Sequence, residues 1–407
     1  MKSLSVPQRL DKVGLDDLTA QLADGAGPLS MASTTVTTNP LAIPQALLAV
    51  ISWSHMNREV VTKFPFDNEE EAAKKLQRNT VLLTAILMAE KVTGPGGADV
   101  TVHAYRAALT ALKQADNIPA SGSGESVGSE RAVIAADHIP PLRAPRGLYL
   151  HTSDGPTIAH EAVEVYAKKL IEIPRPVWPL GWRVMGMSPV GLRHDNRFAY
   201  DAYDLGKALF ELVQNTHDHA RSNALDARYT HSVRGVHVRA LTQKRARLME
   251  SAAQQRDLSE YFATFPSGSK PTTLSDQLRF VAVTVFDSGP GLAARTLWKS
   301  GLRGNARPEQ ELRAMLDALR KHDSGDDDGL RGLGLTNVQK YLTKVGGYGM
   351  IRSGRFRLTR DFRAQPYTKG EDNSNKWWGQ LAKPSVLTKV RGTAFTMVVP
   401  TRGGQHG

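Results

Sequence analysis

Asp204–Ala220 reads DLGKALFELVQNTHDHA, and its spacing organises the reading of the whole chain. Leu205, Ala208, Leu209, Leu212 and Val213 recur at i, i+3, i+4, i+7 and i+8, which is one apolar face of an α-helix. Glu211, Asn215 and Asp218 stand at i, i+4 and i+7. At about 100° per residue they fall within roughly 60° of one another, beside the apolar stripe. Such a helix packs on a core and lines an adjoining cleft with a carboxylate, an amide and a second carboxylate. An Asn oxygen can join the oxygen shell of Mg2+ alongside phosphate oxygens and waters. A carboxylate one turn earlier can orient or deprotonate a water for attack on phosphorus. Taken alone, three polar residues beside an apolar stripe also describe any solvated helix face.

Two glycine motifs follow. Arg279–Leu292, RFVAVTVFDSGPGL, is a β-branched strand that runs into Asp-Ser-Gly-Pro-Gly. An Asp at a strand end, with glycines after it, projects into a cleft while the chain turns away. Its carboxylate can accept a hydrogen bond from an exocyclic amine such as that of adenine. Gly329–Gly347, GLRGLGLTNVQKYLTKVGG, passes from a glycine-rich loop into a helix. Val338, Tyr341, Leu342 and Val345 keep helical spacing, and Gly346-Gly347 supply the stop. Glycines before a helix let backbone N–H groups approach phosphates, and a helix N-terminus favours anions. The loop is neither a Walker A motif nor a dinucleotide fingerprint.

Composition bounds the alternatives. The 407 residues are 41% hydrophobic and 23% charged, typical of a globular protein of two or three domains. The absence of cysteine excludes disulfides, thiolate metal sites and cysteine nucleophiles. The longest apolar run, TVLLTAILMA at Thr80–Ala89, is about half of the ~20 residues a membrane span needs. The first residues lack the apolar core of a signal peptide, so the expected location is cytoplasmic. The formal net charge is +12, and from Lys340 to Gly407 the count is 13 Lys/Arg against 3 Asp/Glu, 13 − 3 = +10. A basic region of this kind would suit nucleic acid or an acidic partner.

Three zones divide the chain. Residues 1–116 read as a mainly helical domain, with Asn68–Val92 and His103–Ala115 as helix candidates separated by the VTGPGG break. Residues 117–146 are rich in Gly, Ser and Pro and read as a linker. From 147 to 407 strand and helix signals alternate. The strand candidates are GLYLHT, GWRVMGM, GVHVRAL, RFVAVTVFD, YGMIRSG and GTAFTMVVP.

The order of these pieces resembles the Bergerat-fold ATPases: DNA gyrase B subunits, MutL mismatch-repair proteins, the large heat-shock chaperones of this fold and histidine kinases. ELVQNTHDHA looks like their N box, DSGPG like the adenine box, GLRGLGL like the glycine-rich lid box, and RGTAFTMVVP like the final Gly-Thr strand. The match covers about residues 200–400. It implies an α+β fold, with a C-terminal Bergerat α/β sandwich, a mixed sheet covered by helices, after the helical N-terminal domain. Lid and insertion would occupy 292–331 and 354–391. The cofactors implied are ATP and Mg2+. By the same resemblance Glu211 is the general base, Asn215 binds Mg2+, and Asp218 lies on the N-box face near the nucleotide. Asp287 holds the adenine amine, with Gly289 and Gly291 giving close backbone approach. Gly332, Gly334 and Leu335 belong to the phosphate end of the lid, and Thr393 helps fix the adenine end.

Three functions compete. Glu211 and Asp218 favour an ATP-hydrolysing conformational switch, because the hydrolysing branches carry Glu-x-x-x-Asn-x-x-Asp. A protein kinase of the histidine or anti-sigma serine type is the alternative; its only His-Glu acceptor candidate is His160-Glu161, followed by the helix-breaking PRPVWP. A non-hydrolysing, nucleotide-gated binding module is the third. The gyrase, MutL and chaperone branches take a catalytic Lys or Arg from a domain after the core. Here the sequence ends soon after the last strand candidate, so that cation is expected from the N-terminal half, the lid or another subunit. The family commonly dimerises through the ATP-bound core, so a homodimer or a hetero-complex is expected.

Overall fold

The computed structural model describes residues 4–6, 21, 27–32, 42–77, 79–114, 130–137, most of 204–265, 277–302, 306–321, 334–378 and 384–400. In chain order the first part holds β1 (Leu4–Val6), β2 (Leu29–Met31), α1 (Ala42–Ser54), β3 (Glu59–Thr62), α2 (Glu69–Leu76), α3 (Thr80–Met88), β4 (Lys91–Thr93), α4 (Thr101–Gln114) and β5 (Glu130–Asp137). The second part holds α5, a helix within 204–216. After it come β6 (Ser232–Lys244), α6 (Arg245–Ser251), α7 (Arg256–Ala263), β7 (Gln277–Asp287), α8 (Ala294–Lys299), α9 (Pro308–Lys321), α10 (Gly334–Val345), β8 (Tyr348–Gly354), β9 (Phe356–Asp361) and β10 (Val390–Pro400). The architecture is mixed α and β, with one parallel and one antiparallel sheet.

The N-terminal zone, expected to be mainly helical, carries a four-stranded parallel sheet in the order β1-β2-β3-β4 beside its helices. Its strands are three or four residues long, too short to show an alternating pattern. The helices α1 to α4 pack on one face of this sheet, in one core with Leu29, Met31, Val60 and Val92. Val60 and Thr62 are buried on that side, while Glu59 pairs with Lys91 on the other. The single helix expected over Asn68–Val92 is two. Asn68 Oδ1 accepts from Glu71 N and Asn79 Oδ1 from Leu82 N, each at 3.1 Å, so a second N-cap starts α3 where one long helix was expected.

The antiparallel sheet runs β5-β6-β7-β10-β8-β9. Its edge strand β5 lies inside the stretch read as a linker and pairs with β6 from Arg239 to Ser232. Alternation sorts its side chains onto two faces. Val236, Val281, Val283, Val285, Ile351, Phe395 and Met397 join α5, α9 and α10 in one core. On the other face Val233, Phe286, Val390 and Ala394 join the core of α1 to α4, which also takes in Val6, Leu29, Met31, Val60 and Val92 of the parallel sheet. Further along that face, Phe280, Ala282, Tyr348 and Val398 pack under α6 and α7. Between these last two clusters Thr284 and Thr396 satisfy each other, Oγ1 to Oγ1 at 2.9 Å.

Every residue of α1 and of α3 is buried. These two helices form a layer shared by both sheets, which explains why their sequences are apolar all round instead of striped. The N-terminal zone is thus fused to the larger sheet through one continuous core.

The regions read as lid and insertion are anchored where they are described. Glu311 of α9, 3% exposed, accepts from Arg355 N at 2.7 Å and pairs with its guanidinium at 2.9 Å. A Cβ on Gly354 (φ +53°) would overlap that carboxylate. Within 354–391, the fully buried Arg360 donates to the carbonyls of Gln365, Pro366 and Asn373 and to Gln339 Oε1. Trp377, also fully buried, packs edge-on against Phe362 and Phe395.

Much of the basic excess after Lys340 is used inside the protein. Arg352 and Arg360 are buried, and Arg355, Lys344 and Lys376 pair with Glu311, Asp204 and Glu371. Among the described residues no helix is long and apolar enough to cross a membrane.

Candidate functional site

The strand β7 ends at Asp287, where the chain must leave the sheet without losing its ladder. Ser288 solves this by bonding both ways to β6: its N–H reaches Val233 O and its Oγ accepts Val233 N, each at 2.9 Å. Asp287 Oδ1 accepts from Gly289 N at 2.8 Å, and the Thr393 amide also donates to this carboxylate. Asp287 is 8% exposed. Burial pushes its pKa from 3.8 up to about 7, against the pull of the two amides and of the Arg234 guanidinium.

The glycines here are required by contact. A Cβ on Gly289 would stand 2.7 Å from Ala220 Cα, so the chain leaving α5 lies directly on the turn. Gly392 has φ +82°, and a Cβ there would overlap the Asp287 carbonyl oxygen. Its N–H donates to Gly289 O at 2.9 Å. Gly291, φ +96°, precedes Leu292, whose N–H donates to Ser353 Oγ at 2.9 Å. Ser353 Oγ also bonds Gly392 O at 3.1 Å and Thr393 Oγ1 at 3.2 Å.

The far end of the site is built by α5 and α10. The described apolar residues of α5 (Leu205, Ala208, Leu209, Leu212 and Val213) are all buried, while Glu211 and Asn215 are only partly so, as their spacing required. Asn337 Nδ2 donates to Glu211 Oε1 at 3.4 Å, joining α5 to the first turn of α10. Gly334 opens α10, and the Leu335 side chain is buried in the core beneath it. α5 therefore meets the glycine-led start of α10 at Glu211, and beyond its end Ala220 lies against the Asp287 turn. Asp218 and Gly332 lie outside the described residues, as does His160.

Four groups near Asp287 carry no sequence motif. Arg234 is 4% exposed and pairs with Asp287 in register. His55, at the end of α1, has its pKa lowered from 6.5 to about 4, first by burial and then by Arg391, and it hydrogen-bonds the Ser288 backbone. Its ring meets Tyr229 edge-on at 5.6 Å. Burial raises the Tyr229 phenol, and Arg391 hydrogen-bonds it. These groups come from separate elements, so only the folded chain assembles them.

A cavity of about 190 Å³, lined by Gln255, Asp257, Tyr348, Thr359, Trp378 and Leu387 among others, contains none of these residues. Among the described residues no group of three His, Asp or Glu could hold a metal ion. Comparison with known protein families, curated proteins and solved structures returns no match.

Proposed function

We propose that this chain binds ATP with Mg2+ between the Asp287 end of the antiparallel sheet and α5, hydrolyses the γ-phosphate, and works as a nucleotide-driven switch of the Bergerat type. The observation that carries this reading is Asp287: a buried carboxylate at a strand end, pinned by the Gly289 and Thr393 amides. Glycines at 289, 291 and 392 let the chain pack closely around it. Two of about four acceptor positions on the carboxylate are then filled, leaving others for an exocyclic amine. An antiparallel sheet with α5, α9 and α10 on one face is what a Bergerat sandwich requires, and supports the same reading.

In this reading the base sits at Asp287 and Thr393, and the phosphates lie toward Gly334 and the start of α10, where backbone N–H groups favour anions. Asn215 offers a single oxygen, so Mg2+ would arrive with the nucleotide, its remaining positions filled by phosphate oxygens and water. Glu211, steadied by Asn337, takes the proton of the attacking water as its oxygen bonds the γ-phosphorus. The bond from phosphorus to the bridging oxygen breaks, giving ADP and phosphate. The switch would act in a homodimer or a hetero-complex, read out by sedimentation with and without ATP.

The test is calorimetric titration of the purified chain with Mg·ATP, together with phosphate release. Micromolar to millimolar binding is expected, as is its loss in Asp287→Asn. Equal affinity in wild type and Asp287→Asn would end this reading. Label from γ-phosphate that stays on protein would redirect it to a kinase.

A further inference from the structure

A row of polar residues crosses the helix-covered face of the antiparallel sheet. Arg234 pairs with Asp287, Asp287 with Thr393, and Thr393 with Ser353. Each is in phase with its strand's core residues, Val236, Val285, Phe395 and Ile351, which face α5, α9 and α10. Directly opposed residues on antiparallel strands hold their Cα atoms about 4.5–5.5 Å apart. Arg234 is therefore the immediate lateral neighbour of Asp287, on the same face, and both are buried.

A guanidinium stays charged wherever it is placed, and burying it is costly without a compensating negative charge. A buried carboxylate has the opposite option: it can take a proton and become neutral. Side by side, the fixed charge biases the adjustable one. We propose that Arg234 is a positioning residue for this cleft, its guanidinium biasing the Asp287 carboxyl toward the ionised, acceptor-only form that the ligand's exocyclic amine needs.

This rests on the ATP reading above and adds to it a residue that no motif marks. A neutral Asp287 would present a hydroxyl donor on one oxygen and oppose an amine with a proton. The balance is close, because burial holds Asp287 at about 7 even against the Gly289 and Thr393 amides and Arg234. Among the described residues, the other charged and titratable groups at this end of the sheet include Tyr229 and Arg391, Arg295 of α8, His55 just after α1, and Arg58, which acts on His55. Arg391 and Arg295 act on Tyr229. The α5 residues described at this end, Asn215 and Thr216, are uncharged.

The experiment compares wild type, Arg234→Met and Arg234→Lys. Mg·ATP affinity is titrated from pH 6 to 9. In the ligand-free proteins the Asp287 carboxyl is followed by carbon-13 NMR, assigned by its absence in Asp287→Asn. Wild-type affinity should weaken as pH falls through about 7. In Arg234→Met both the Asp287 titration and the affinity profile should move to higher pH, so that affinity at pH 6 is weaker than in wild type. Arg234→Lys should restore most of the shift. Arg234→Gln, which also removes the charge, replaces the Met variant should that fail to fold. A folded, charge-free variant with an unmoved Asp287 titration overturns the proposal. An Asp287 titration that moves in a chain whose wild type binds no ATP at any pH supports Arg234 and overturns the nucleotide reading instead.

Discussion

Ser52 Oγ accepts the backbone N–H of Arg391 at 2.8 Å, tying α1 to the strand residue that precedes Gly392 and Thr393. Leu48, one turn earlier on α1, reaches the same place: its Cδ2 lies 3.1 Å from where a Cβ on Gly392 would stand. The candidate cleft is thus backed by the N-terminal zone. Leu48→Ala should cost about 2–5 kcal/mol by leaving a cavity there, measured as a lower midpoint in urea. A chain starting at residue 117 would expose Val233, Phe286, Val390 and Ala394 and should aggregate. Recovery of that fragment as a folded monomer would show that the shared core is dispensable.

Gly392→Ala is expected to be more damaging than its size suggests. The added methyl meets the Asp287 carbonyl, and φ +82° is strained for any L side chain. Loss of nucleotide binding together with a fall in melting temperature is the expected pair of results. A variant with normal melting and normal binding would mean that β10 can shift freely against the Asp287 turn.

Asp287 and His55 should impose opposite pH dependences on stability. Between about pH 4 and 7 the native chain keeps a proton on Asp287 that the unfolded chain has released, so this contribution is lost as pH rises. The full cost at higher pH is on the order of 4 kcal/mol. His55 is neutral in the native chain down to about pH 4, while its unfolded form binds a proton below 6.5. Its contribution is lost as pH falls through that window. The two slopes largely cancel from about pH 4 to 6.5. Asp287→Asn should raise the melting temperature at pH 8 and make the protein acid-sensitive below pH 6.5. His55→Gln should make it gain stability on acidification from pH 7. Parallel melting profiles for wild type and Asp287→Asn would contradict this account.

Glu211→Gln keeps the size of the side chain and an oxygen for Asn337. Mg·ATP should bind with little change, while phosphate release falls at least ~100-fold, the usual scale for a lost general base. Turnover that survives would move the catalytic role to another group.

Arg360→Met tests how the 354–391 segment is held. Four bonding partners would lose a fully buried guanidinium at once, a loss of roughly 3–5 kcal/mol. Quenching of Trp377 fluorescence should rise as its cover loosens. An unchanged unfolding midpoint would show that the network carries no net stability.

The sequence made the second half legible because its elements are long and periodic. The α5 stripe, the β7 alternation and the position of Asp287 at a strand end all follow from spacing. The first half was opaque for a physical reason. LSM and KVT are too short to alternate, and α1 and α3 are apolar on every side because each serves two sheets. In the site, Glu211, Asn215, Asp287, Gly289 and Gly291 were readable. Arg234, Ser353, Asn337 and His55 were not, since their relation to the cleft is set by register and packing between distant segments. The candidate strands at 147–152 and 181–187 lie outside the described residues.

α1 has no face to spare, and this determines what can be exchanged or inherited as a unit. A substitution there must satisfy two sheets at once, so the two halves cannot drift independently at their junction. A chimera that moves the cleft onto another N-terminal partner must carry α1 and α3 with it. The portable unit is the antiparallel sheet, these two helices and the parallel strands packed on them, and its natural cut lies on the far side of those strands.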